Sequence, residues 1–330
     1  MQKKPFFGLL LILTTALLYG CNGSQTDEAS GDEDSDTDDS AVTTQSTFDP
    51  DVFHDGALLD TPTIEDCTLS GGTSTTCYRV TIAGEPVTTD IGPFCPPTID
   101  SDASEGGIWF DGSGEVYDID GEFILNLENL YGSDWQLYDP ETGIVKVTDT
   151  QASCEGAARP NVAEEYQNHC VECSLSYFGG AVSETFLIPV EPVPLSNPDS
   201  INNNNLGLTV NGVVLAPPAP VDAILAANTI AAFDDCGGHI NPFEGYHYHA
   251  STGCTESVFQ SDNHASLLGY ALDGYEIYGM LNMAGEEDYD LDECRGHSDE
   301  TRGYHYHSAS AGENMFIGCF KGEQGSIVQE

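Results

Sequence analysis

Positive charge is what this chain has least of. Of 330 residues only 8 are Lys or Arg, against 55 Asp or Glu, giving a formal net charge of −47 at pH 7. Such a surface repels phosphate backbones and anionic lipid, so nucleic acid is excluded as a partner. Attraction to cations stays open, as does a salty habitat that screens the self-repulsion. A membrane-spanning run is lacking as well: the apolar stretch from Phe6 to Leu18 is too short to cross a bilayer stably. No serine-centred nucleophile elbow occurs, which removes the commonest route to covalent hydrolysis. Histidine is sparse, at 9 residues, yet three of them fall in the thirteen positions of GGHINPFEGYHYH, residues 237 to 249.

What is present begins with an export signal. Lys3 and Lys4 precede the apolar run, which ends in Leu18-Tyr19-Gly20-Cys21. This resembles a bacterial lipobox, with residues 1–21 as signal peptide and Cys21 as the lipidated residue; the alternative is a plain secretory signal followed by a disulfide cysteine. Asn22 is not the aspartate associated with inner-membrane retention, so the expected location is the outer membrane or cell surface, with the membrane as partner through the lipid. Residues 22–55, with the acidic cluster DEASGDEDSDTDD, are expected to be a disordered tether.

Removing Cys21 from eleven cysteines leaves ten, an even number that in an exported chain points to disulfides of unspecified connectivity. The remaining chain is expected to be mainly β with short helices, in two disulfide-rich parts: residues 56–175 and residues 176–323. Within the first, the segment from Gly106 to Leu127 reads as strands, and Trp135–Tyr138 with Ile144–Val147 as a hairpin. Asn161 as N-cap, with Val162, Tyr166, Cys170 and Cys173 at helical spacing, predicts a helix over 161–173. Cys170-Val171-Glu172-Cys173 lacks the histidine that haem attachment requires and the βαβ context of a thioredoxin, so structural disulfides are the expectation. In the second part a strand pair is expected to turn at Asn211-Gly212.

The opening stretch occurs twice. Asp234-Asp235-Cys236-Gly237-Gly238-His239 leads after five residues to Gly245-Tyr246-His247-Tyr248-His249. Asp292-Glu293-Cys294-Arg295-Gly296-His297 leads after five to Gly303-Tyr304-His305-Tyr306-His307. In an extended Tyr-His-Tyr-His, alternate side chains point to opposite faces. His247 and His249 then share one face, with His239 brought in by its loop; His305, His307 and His297 repeat the arrangement. Each is a candidate three-histidine metal site. A metal-free His–Tyr hydrogen-bond network is the competing expectation.

With GYALDGYEIYG between the copies and MFIGCFKG after them, the residues resemble the YHYH-domain proteins over roughly 180 to 322. The resemblance implies an exported protein and assigns no activity. Arg295, standing where the first copy has Gly237, predicts that the two triads differ.

Nitrogen-rich sites suit copper or zinc in an exported chain. A metal-dependent hydrolase would use the free coordination position for water, with Asp273 and Glu276 as candidate bases. A non-catalytic surface module that captures cations is the alternative. Calcium is the third possibility, since Asp288, Asp290 and Asp292 alternate, although Glu293 stands where a calcium loop has glycine.

Overall fold

Short, alternating, β-branched or aromatic runs supply the strands of the chain in its computed structural model, which is mainly β. The structure describes residues 48–132, 134–202, 204–253 and 258–328. Cys21, the lipobox and most of the tether lie outside them, as does Cys254. The described residues form one compact unit, and strands from either side of residue 175 pair with each other. Ser74–Ile82 sits between Thr63–Thr68 and Glu184–Pro189 in a four-stranded sheet closed by Ser326–Ile327. Among the described residues, disulfides join Cys67 to Cys77, Cys95 to Cys170, Cys154 to Cys173 and Cys294 to Cys319.

An eight-stranded sheet dominates the remainder. Its strands are β1 (Gly207–Thr209), β2 (Val214–Leu215), β3 (Gly238–Asn241), β4 (Gly245–Tyr248), β5 (Leu267–Ala271), β6 (Glu276–Tyr278), β7 (Gly296–Asp299) and β8 (Gly303–His307), in the order β3-β4-β2-β1-β5-β6-β8-β7. Outward from the antiparallel β1·β5 pair the order is the same in both directions. In each half a hairpin is followed by a parallel neighbour that is itself half of a second hairpin. The duplication therefore covers four strands and not only the histidine motif. Asn211-Gly212 and Asp273-Gly274 are the equivalent turns, with the glycines at φ +89° and +88°, a conformation that costs glycine least.

Three expectations need correcting. Gly121–Tyr131 is a helix, not a strand: the Asp120 carboxylate caps it by accepting from the Phe123 N–H at 2.8 Å, and Phe123, Ile124 and Leu127 bury one face. The helix predicted over 161–173 is absent. Only Glu164–Tyr166 turns, as a short 3-10 segment, while Cys170–Val171 is a strand parallel to Ile230–Ala231. Cys170 and Cys173 are drawn to different partners, so their helical spacing had another cause. The tether ends before residue 55: Phe48 is buried and packs on Tyr270 at 4.7 Å between ring centroids.

Candidate metal centres

Each histidine cluster is built on a hairpin whose two faces have separate tasks. On the tyrosine face of the first, the Asp234 carboxylate accepts from the backbone N–H groups of Cys236 and Gly238, both at 3.1 Å, and from the Tyr246 hydroxyl at 2.7 Å. In the second, Asp292 accepts from Cys294 at 2.9 Å, Gly296 at 3.1 Å and the Tyr304 hydroxyl. Buried Tyr246 and half-buried Tyr304 thus fix the cysteine loops. The loop turns through Gly237 at φ +78° in one copy and Arg295 at φ +66° in the other, and sets His239 directly opposite His247 and His297 directly opposite His305.

On the opposite face the imidazoles converge. In the first cluster Nε2 of His247 lies 3.1 Å from Nε2 of His249, which lies 3.2 Å from that of His239. In the second, Nε2 of His305 is 3.0 Å from those of both His264 and His297, and His307 is 3.3 Å from His297. The other ring nitrogens identify the tautomers. Nδ1 of His247, His249, His305, His307 and His264 faces the carbonyl oxygens of Gly245, Pro217, Gly303, Gly279 and Ala265 respectively, at 2.6 to 3.1 Å. A carbonyl only accepts, so each Nδ1 carries the proton and each neutral Nε2 presents a lone pair.

Lone pairs facing one another at 3 Å repel unless a cation lies among them. Protonation does not supply one near neutral pH. Burial pushes the imidazoles down, His247 and His307 to about 4, His249 and His305 to about 3, and His239 well below its ordinary value. The separations match the edge of a tetrahedron of nitrogens ~2.0–2.1 Å from a zinc-sized ion, which is about 3.3 Å. Carbonyls on the outer nitrogens are the orienting partners that metal-bound imidazoles use. Among the described residues, the groups able to hold an ion are these two clusters.

The clusters are not equivalent. His264, which the sequence analysis missed, makes the second a four-histidine set. It has no motif of its own. Arg302 places it from a distance, pairing with Asp299 in its own hairpin and with Asp262 at 2.6 Å in the segment leading to His264. Counting back by the 62 residues that separate Asp273 from Asn211 reaches Asn202, so the first half offers no fourth imidazole there. Acids also gather at the second cluster. The Asp290 carboxylate accepts from His297 Nδ1 at 2.9 Å, and an Asp288 oxygen stands 3.5 Å from His307 Nε2. The Arg295 guanidinium is engaged by Glu287 and by the carbonyls of His307 and Ser308.

The first cluster instead opens into a cavity of about 350 Å³ lined by His239, His247 and His249, with mostly apolar walls.

The other candidates lie elsewhere. Asp273 is fully buried and its carboxylate accepts from the Tyr306 hydroxyl at 2.6 Å and the Gly322 N–H at 2.9 Å. Glu276 accepts from the Tyr278 hydroxyl at 2.7 Å. Tyr278 lies beside the second cluster, its ring centroid 4.5 Å from that of His264, while Tyr275 stacks edge-on with Tyr304 and Tyr306. Asp288 and Asp290 face histidines, but Asp292 serves the cysteine loop and Lys321, at 3.1 Å, so the three do not make one calcium loop.

Residues 185–290 match the model of a family described as YHYH protein. The match takes in the first histidine copy and the β5–β6 hairpin, and bears out the resemblance there. No curated protein and no solved structure matches the chain.

Proposed function

We propose, for a chain whose residues 185–290 match the family described as YHYH protein, that it binds two transition-metal ions, copper or zinc, through its two histidine clusters. The single observation that carries this is the convergence of Nε2 atoms at 3.0 to 3.3 Å, with five of the seven rings turning a carbonyl-bound Nδ1 outward. His239, His247 and His249 would hold one ion, and His264, His297, His305 and His307 the other. Closed four-ligand sets are characteristic of structural ions and three-ligand sets of reactive ones, so the second site is the structural one and the first the reactive one. An ion in the first site supplies Lewis acidity toward water or a carbonyl group, the chemistry of metal-dependent hydrolysis.

We further propose that the protein is exported and held on the outer membrane or cell surface by a lipid on Cys21. Its disulfides support an oxidising compartment. Among the described residues no helix is long and apolar enough to cross a membrane.

The test is elemental analysis of protein exported to an oxidising compartment and purified without chelator, with hydrolysis of p-nitrophenyl acetate followed alongside. Metal in both sites and activity that disappears in His247→Ala support the hydrolase. Metal without activity leaves a capture protein, and no metal after dialysis against copper and zinc removes both.

A further inference from the structure

The cavity over the first cluster has a chemistry of its own. Buried Val171, Ala216 and Ala232 and half-buried Pro217 line it from strands and connections, and Ala223 and Ile224 from the helix Val221–Ala226. Phe243, in the turn between β3 and β4, also lines it and is 76% exposed, an apolar ring left in solvent at the rim. The volume, about 350 Å³, lies within the ~300–1,000 Å³ of small-molecule sites, which pair apolar walls with a few convergent polar groups. Here the convergent group is the histidine triad.

Charge narrows the occupant. Glu172 and Glu244 both line the cavity. The Glu172 carboxylate accepts from the Cys95 N–H at 3.0 Å, and Glu244 from Asn241 at 3.0 Å, so both are fixed in place. Together with the net charge of −47 they oppose an anion. An ion on the triad opposes a cation. Arg159, the one guanidinium of the lining, is exposed at the edge and donates to the Asn161 carbonyl.

We propose that the first site takes a small, uncharged, apolar molecule bearing one lone-pair donor, which approaches the triad while its hydrocarbon fills the cavity. The inference rests on the reading of the triad as a metal site and adds the class of ligand. It gives the asymmetry of the two halves a purpose: the half without a fourth imidazole is the half with room for a guest.

The test uses the full chain loaded with cobalt(II), whose visible spectrum responds to ligand exchange. 4-Phenylimidazole is titrated against imidazole and against its para-carboxylate derivative. Burial of the phenyl ring should make 4-phenylimidazole bind about tenfold or more tighter than imidazole, with the carboxylate weaker than the parent. Ala223→Leu, which fills the cavity, should bring the ratio near unity while imidazole still binds. Phe243→Ala, at an exposed position where folding is not at stake, should lower the ratio part of the way. Equal affinities for imidazole and its phenyl derivative in the unaltered protein, or tighter binding of the carboxylate, overturn the proposed ligand class and leave the metal reading standing. A protein that takes up no cobalt overturns both.

Discussion

Asp273 and Asn211 occupy the same place in the two halves of the large sheet: the Tyr306 hydroxyl donates to the Asp273 carboxylate at 2.6 Å, and the Asn211 amide donates to the Tyr248 hydroxyl at 3.1 Å. Each ties the second tyrosine of a Tyr-His-Tyr-His strand to the turn of the preceding hairpin. The equivalence gives Asp273 a structural purpose that its buried titratable carboxyl alone would not suggest. Burial pushes that carboxyl up to about 6.

Asp273→Asn should therefore be tolerated, since the first half already uses the amide, and metal content should be unchanged. Asp273→Ala leaves the Tyr306 hydroxyl and the Gly322 N–H buried without an acceptor, at a cost of ~1–3 kcal/mol for an unsatisfied group. Urea unfolding of the two variants checks this; equal destabilisation would contradict it.

The two sites should part with their ions at different rates. With four imidazoles, the second should release metal to a chelator slowly. The first, open to its cavity, should release it quickly. Stopped-flow mixing with EDTA should give two phases of equal amplitude, the faster one missing in His247→Ala and the slower one altered in His264→Ala. A single phase would contradict the asymmetry.

Acid should destabilise the metal-free protein. In the unfolded chain histidines protonate as pH falls through ~6.5, whereas His247 and His307 in the fold wait until about 4, and His249 and His305 until about 3. The unfolded state then binds more protons, so stability is fully present above the unfolded value, declines below it, and levels off below the folded values. The slope is at most about 1.4 kcal/mol per pH unit for each histidine. Thermal unfolding between neutral pH and about pH 4 measures it, and a flat profile would contradict the buried neutral rings.

Reduction should release the second cluster's loop. Cys294–Cys319 closes a loop across a sequence separation of 25 and adjoins Arg295-Gly296-His297. A loop of that order is worth about 3 kcal/mol in chain entropy. Cys294→Ser/Cys319→Ser should unfold at lower denaturant and hold its second metal more weakly; unchanged affinity would show that Asp292 and Tyr304 suffice to hold the loop.

The histidine clusters were legible because their signal is local: a strand period of two and a fixed loop put six of the seven converging imidazoles in two short segments. His264 was not, because it arrives through the long-range Asp262–Arg302–Asp299 bridge and has no neighbouring motif. The larger duplication left a faint trace, Gly207 with Asn211-Gly212 against Gly269 with Asp273-Gly274, hidden by a different offset from that of the histidines. The helix over Gly121–Tyr131 was readable in principle, from Asp120 as N-cap and Phe123, Ile124 and Leu127 on one face. The helix expected at 161–173 failed because disulfides to Cys95 and Cys154 override a weak local periodicity. Connectivity of that kind is a property of the fold and not of spacing.

The most direct measurement is a zinc titration of the metal-stripped, disulfide-intact protein against a chromophoric competitor, with His247→Ala and His305→Ala in parallel. Two equivalents in the unaltered protein and one in each variant are the predicted result. No uptake by the unaltered protein would show that the seven converging imidazoles hold the sheet together without an ion, and would contradict the account at its centre.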